Sequence, residues 1–340
     1  MEPGPGQDRQ ALTAGHRRAP RRARRFTRTD ATHSVVGGSV GQTARVLRTA
    51  PIEVAAGARL GRYQLVTPLG AGAMGLVFEA LDTKLERSVA LKLIRPRARD
   101  LDAARTRLLR EAHVTARVSH PGVVAVFDIG TFGDHLFLAM ELVRGGTLRD
   151  FAERPHTWRR ELRARIEVGR GLAATHDAGV VHRDIKPDNV LVATDGTMRI
   201  ADFGVACELG QAGSCIRGIA GTPAYMAPES FEGVADPATD QFAFAVMAFE
   251  LLEKRRPFEV EASVAAHLAA MRQGRREIWR RAAIPARLQR AIDRGMEPQP
   301  SDRWPSMRAL CATLEACLEE RPSSARRSSY RPQPRRARAA

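Results

Sequence analysis

The chain has 340 residues, 44% hydrophobic and 27% charged, a composition that can bury a core and that excludes collagen-like, low-complexity and disulfide-stapled classes. Its formal charge of +16 sits at the ends. Residues 1–58 hold ten Arg against four acids and residues 321–340 hold seven Arg and no acid, which leaves +3 for everything between and argues against a basic nucleic-acid-binding domain.

Both ends are rich in Pro, Gly, Ser and Arg and carry too little apolar surface to offset the entropy of ordering, so residues 1–58 and 321–340 are expected to be disordered. The arginine cluster at 17–25 and the one at 335–338 are candidate polyanion contacts, although a solvated tail explains them more simply. The four cysteines, Cys207, Cys215, Cys311 and Cys317, show no zinc spacing. No apolar signal segment follows the early arginines. The longest apolar stretch, residues 242–252, contains Glu250 and is too short for a bilayer, so a cytoplasmic protein without a transmembrane segment is expected.

From Arg59 onward short β-type runs appear at 63–66, 76–80 and 89–94, and a helical stretch follows near 101–118, with Leu108, Glu111, Ala112 and Thr115 on one face. Glu111 therefore points inward, where a carboxylate needs a partner. Two more strand-like runs, 123–129 and 136–143, complete an expected sheet of five strands with one helix. Beyond Gly145 and Gly146 the pattern is helical, at 148–153, 158–178, 240–253, 263–272, 288–294 and 306–319. The fold class is α+β in two lobes: a small antiparallel β-sheet lobe with one key helix over residues 59–144, and a larger, mainly helical lobe over 145–320.

The first chemical candidate is Gly70-Ala71-Gly72-Ala73-Met74-Gly75 with Val77, where glycines let backbone N–H groups approach phosphate oxygens. The residues after it continue as a strand, which favours a glycine flap over a dinucleotide-binding turn; a purely structural turn fits the residues as well. Lys92 lies amid apolar neighbours on the third strand, with Glu111 as its natural partner, and such pairs are as often structural as functional. More specific is His182-Arg183-Asp184-Ile185-Lys186-Pro187-Asp188-Asn189, with Asp184 standing 18 residues before the Asp202 of Asp202-Phe203-Gly204. Asp184 can accept a hydroxyl proton, Lys186 can neutralise a transferring phosphoryl group, and Asn189 with Asp202 can hold a divalent cation through hard oxygens.

With Gly221-Thr222-Pro223-Ala224-Tyr225-Met226-Ala227-Pro228-Glu229, Asp240 and Arg303 added, the chain resembles the eukaryotic-like serine/threonine protein kinases of bacteria over about 260 residues. The resemblance implies ATP and Mg²⁺ or Mn²⁺ as cofactors, protein substrates carrying serine or threonine, and a role in signal transduction. It places Leu69, Gly70, Gly72, Gly75, Val77 and Ala90 around the nucleotide, Lys92 on its phosphates with Glu111 positioning Lys92, Met140 as gatekeeper, and Glu141 to Val143 at the adenine. It makes Asp184 the base, assisted by Lys186 and Asn189, and Asn189 and Asp202 the metal ligands. Glu229 and Arg303 match a structural ion pair. Arg183 is then a site where an activation-segment phosphate can dock, with Ser214 the expected autophosphorylation site and Thr222 second, and self-association is a route to that modification.

A catalytically silent scaffold would have lost one of these groups, and none is lost. A small-molecule phosphotransferase would not need residues 221–229, and a nucleic-acid binder would use only the ends.

Overall fold

The computed structural model describes residues 56–72, 75–94, 106, 109, 115–132, 135–203, 207–208, 222–258 and 263–319. The first lobe is an antiparallel sheet of six strands, β1 (Arg59–Leu60), β2 (Tyr63–Gly72), β3 (Gly75–Asp82), β4 (Arg87–Ile94), β5 (Val126–Phe132) and β6 (His135–Met140), in the order β1-β2-β3-β4-β6-β5. Alternation along β3 sends Phe78 and Ala80 into a core with Leu65, Val89, Leu91 and Ala139. The central strand β4 is buried over residues 89–93, and Lys92 sits within it, opposite Val77 on β3 and Leu138 on β6.

Two details of this sheet differ from the sequence expectation. The sheet has six strands rather than five, because Arg59 and Leu60 pair with Gln64 and Tyr63 in a two-residue strand too short for a periodic signal. The last hairpin starts at Val126 rather than at 123, since Val123 is drawn into a bridge with Ile200 of the other lobe, and β6 stops at Met140, where the chain leaves the sheet as the linker. Of the expected helix near 101–118, Thr106, Leu109, Thr115 and Ala116 are described and helical, and Glu111 lies outside the described residues.

The second lobe contains α1 (Leu148–Glu153), α2 (Trp158–Asp177), α3 (Pro237–Glu253), α4 (Val264–Arg272), α5 (Ala286–Gly295) and α6 (Met307–Glu319). Local chemistry sets their starts. Thr147 and Asp150 form a reciprocal capping box on α1, and Asp236 caps α3 by accepting from Ala238 and Thr239 N–H ahead of a proline at the first helical position. The run from Phe242 to Phe249 is buried on every side, so α3 is the spine of this lobe's core. Short strands β7 (Val180–Val181), β8 (Val190–Val192), β9 (Met198–Ile200) and β10 (Cys207–Glu208) lie under the cleft, with β8 pairing β9 and β10 pairing β7. Among the described residues no helix is long and apolar enough to cross a membrane.

Candidate active site

A cavity of about 710 Å³ opens where the two lobes meet the linker. Leu69, Gly70, Val77, Ala90 and Lys92 from the sheet, Met140, Glu141 and Val143 from the linker, and Asn189 and Asp202 from the second lobe all line it. Gly72 and Gly75 face each other where β2 turns into β3. Gly75 has φ +142°, and a Cβ there would stand 1.9 Å from the Leu93 carbonyl oxygen, so no other residue fits that turn.

The β8–β9 hairpin brings the oxygen donors together. Val190 pairs with Ile200, so Asn189 just before β8 and Asp202 just after β9 emerge side by side. A 3₁₀ turn over Pro187–Asn189 aims the Asn189 amide so that its Nδ2 donates to Asp184, to the backbone O at 2.8 Å and to Oδ2 at 2.9 Å. Its Oδ1 has no hydrogen bond among the described residues.

Asp202 receives Lys92 Nζ at 2.7 Å on Oδ1. Desolvation in the cleft pushes the Asp202 carboxyl upward, but Lys92, by charge and hydrogen bond, together with His182 and Lys186 brings the net displacement below the usual carboxylate range, so the group is ionised at neutral pH. An ionised carboxylate and an amide oxygen facing one cavity are hard donors that fit Mg²⁺ or Mn²⁺. Lys92 was expected to meet Glu111. The described partner is Asp202, and Glu111 lies outside the described residues.

Four hydrogen bonds converge on the Asp184 carboxylate. Thr222 donates its N–H and its hydroxyl to Oδ1 at 2.9 and 2.8 Å, while Lys186 Nζ and Asn189 Nδ2 donate to Oδ2 at 2.7 and 2.9 Å. Lys186 also donates to the Thr222 hydroxyl oxygen at 2.8 Å. Every lone pair of the carboxylate is engaged, and each donor approaches from a defined direction.

The loop bearing Asp184 is held from behind by α3. Asp240 accepts from His182 N–H at 2.8 Å and Arg183 N–H at 2.7 Å, and meets His176 Nε2 at 2.9 Å. Burial alone would raise the Asp240 carboxyl; His176, by hydrogen bond and charge, and His182, by charge and N–H, together lower it. Arg183 is thereby held at φ +71°, and Asp202 stands at φ +66°; both are left-handed conformations that side chains normally avoid. His182 is fully buried, takes Asp184 N–H on Nδ1 at 3.3 Å, donates from Nε2 to the Ala201 carbonyl at 3.1 Å, and packs its ring on Phe203 at 4.6 Å. The role of Asp240 was not read from sequence. A carboxylate in the first turn of the helix, just ahead of the apolar run 242–249, was the available signal, because it cannot be buried unpaired.

The expected structural pair is present. Arg303 engages Glu229 at 2.5 and 2.9 Å through its two terminal nitrogens and also donates to the Glu297, Ala238 and Pro298 carbonyls, which uses all five of its N–H groups. Arg183 Nη1 is buried and has no hydrogen-bond partner among the described residues. Ser214 lies outside the described residues.

A family model for the protein kinase domain matches residues 63–324. The chain belongs to the protein kinase family. Three serine/threonine-protein kinases of Mycobacterium tuberculosis illustrate the likeness. PknL is 36% identical over 270 residues, 76% of this chain and 66% of that protein. PknD is 36% identical over 278 residues, covering 77% and 40%, and PknE is 35% identical over 272 residues, covering 77% and 47%. This kinase chain thus spans about two thirds of PknL and less than half of the other two.

Proposed function

We propose that the chain transfers the terminal phosphoryl group of ATP, with Mg²⁺ or Mn²⁺, to serine or threonine hydroxyls of proteins. The observation that carries this reading is the convergence of four donors on Asp184 beside a cavity lined by Lys92, Asn189 and Asp202. Bound there, ATP supplies the phosphoryl group and the metal ion neutralises its charge.

Asp184 orients the attacking hydroxyl and takes its proton on a carboxylate oxygen. Because all of its acceptor sites are filled, one donor must yield when substrate arrives. Lys186 is the one suited to do so, since its ammonium rides on a flexible stem and can turn toward the phosphoryl oxygens. Thr222 stays on Asp184 as a positioning residue. A phosphate on its hydroxyl would press a dianion against that carboxylate, so we read it as positioning rather than regulatory. Asn189 and Asp202 hold the metal, and Lys92 aligns phosphate oxygens.

We further infer that Ser214 carries a regulatory phosphate, the buried Arg183 Nη1, without a hydrogen-bond partner among the described residues, being the support for an anion docking there. Protein substrates, self-association for autophosphorylation, and polyanion contact through the arginine-rich ends belong to the same reading.

Incubation with γ-labelled ATP, Mg²⁺ or Mn²⁺ and a protein substrate, followed by phosphoamino-acid analysis, tests it. Label on serine or threonine supports the reading. Intact nucleotide binding with no transfer under either metal would favour a silent scaffold. Phosphopeptide mapping with Ser214→Ala settles the regulatory claim separately.

A further inference from the structure

The linker after β6 carries an acid at its start and a base near its end, and the two reach different lobes. Glu141 Oε1 lies 3.4 Å from Arg199 Nε on β9. Arg144 lays its guanidinium along Glu79 of β3, with Nη2 to Oε1 at 2.7 Å and Nη1 to Oε2 at 3.3 Å. A two-point guanidinium–carboxylate pair fixes direction as well as distance. The Arg144 bond is also the foremost reason the Glu79 carboxyl lies below its usual range.

The placement of this pair gives it a use. Glu79 stands two residues beyond Val77 on β3 and therefore shares its face, and Val77 lines the cavity roof. Arg144 lines the same cavity from the linker and keeps 56% of its side chain exposed, so the pair stands at the solvent edge. The backbone that delivers Arg144 has little freedom to slide. Gly145 follows at φ +134°, and a Cβ there would stand 2.4 Å from the Val192 carbonyl oxygen. The guanidinium thus ties the β-sheet roof to a fixed point on the floor side.

We propose that the Arg144–Glu79 pair is a clasp that sets the height of the sheet over the linker and thereby sets nucleotide affinity and release. It touches neither Asp184 nor the oxygen donors at Asn189 and Asp202, so it acts by positioning. This rests on the nucleotide-binding function proposed above. The clasp holds the cleft closed on bound nucleotide and must part for exchange.

The test measures Kd for ADP by calorimetry, and KM and kcat for ATP, in the wild type, Arg144→Ala, Glu79→Gln and the exchanged double variant Arg144→Glu with Glu79→Arg. Each single variant is expected to raise Kd and KM about two- to fivefold, with kcat moving less than KM, as an exposed two-point pair allows. The exchanged variant restores both to within about twofold of wild type, which lost folding or generic surface change would not do. High salt weakens wild-type binding more than it weakens that of the single variants, narrowing the difference between them. Single variants indistinguishable from wild type, or an exchanged variant as weak as they are, overturn the clasp while leaving the kinase assignment standing. A wild-type protein that binds no nucleotide takes both down.

Discussion

Thr222 donates both its backbone N–H and its hydroxyl to one oxygen of Asp184, at 2.9 and 2.8 Å, across 38 residues of chain. The carboxylate is thereby pinned from the substrate side of the cleft while Lys186 and Asn189 hold its other oxygen. Thr222→Ala keeps the N–H bond and loses the hydroxyl bond. A hydrogen bond to a charged group contributes about 1.5–3 kcal/mol, so kcat is expected to fall by about tenfold or more. Thr222→Ser restores the hydroxyl and should recover most of it. Steady-state kinetics on a peptide substrate reads the difference, and equal rates for alanine and serine variants would show that the hydroxyl plays no part.

Lys92 and Asp202 meet at 2.7 Å, and their titration has a definite sign. Desolvation raises the Asp202 carboxyl, Lys92 with His182 and Lys186 lowers it more, and the folded value is depressed. The stability this group contributes is therefore complete above the ordinary carboxylate range and is lost as pH falls through the depressed value. Lys92→Met removes the largest lowering influence and leaves those of His182 and Lys186, so the Asp202 carboxyl should rise from its depressed position and acid unfolding should begin at a higher pH. A circular-dichroism acid titration of both proteins checks this; coincident acid limbs would show that Lys92 is not what holds Asp202 ionised.

Asp240 is the anchor behind the loop. Asp240→Asn presents an amide to three groups that need an acceptor, and can satisfy them only in part. Breaking one side of a buried charged network costs about 3–5 kcal/mol. For a domain of this size that corresponds to a Tm lower by roughly 6–20 °C. Phosphotransfer should fall as well, because the positive φ of Arg183 loses its support. Calorimetry gives the first quantity and a fixed-time assay the second.

How much of this was legible in the sequence depended on range. The glycine turn at 70–75, Lys92 on a buried strand, and the cluster from His182 to Asn189 announced themselves because their spacing is local; the helix at 148 starts where expected, whereas the one expected from 240 starts at Pro237, three residues earlier, because Asp236 caps it. The two-residue strand β1 was not legible, since two residues carry no period. Nor were the Lys92–Asp202 contact, the Thr222–Asp184 bonds or the Asp240 anchor. Each closes over 38 to 110 residues, and only the packed core decides which polar groups arrive together. Burial of an unpaired carboxylate predicts that a partner exists and leaves its identity open.

Arg303 illustrates why keeping the charge alone would not suffice at a buried site. Its five donors satisfy Glu229 and three carbonyls, and its guanidinium lies 4.9 Å from the Phe242 ring centroid. Arg303→Lys retains the charge and has three donors in the wrong geometry. It is expected to destabilise the helical lobe by about 2–4 kcal/mol, a loss arising from orphaned buried acceptors. Urea unfolding reads this as a lower midpoint, and an unchanged midpoint would mean that charge, not geometry, holds Glu229.

The most direct test of the central claim compares wild type with Asp184→Asn in a single-turnover assay, with ATP affinity measured on the same samples. Bound-nucleotide affinity within about twofold and phosphoryl transfer to serine or threonine reduced at least a hundredfold is the expected result, since the substitution removes the proton acceptor and leaves the cavity. Transfer by Asp184→Asn at the wild-type rate would contradict the account, because the group on which four hydrogen bonds converge would then have no part in the reaction.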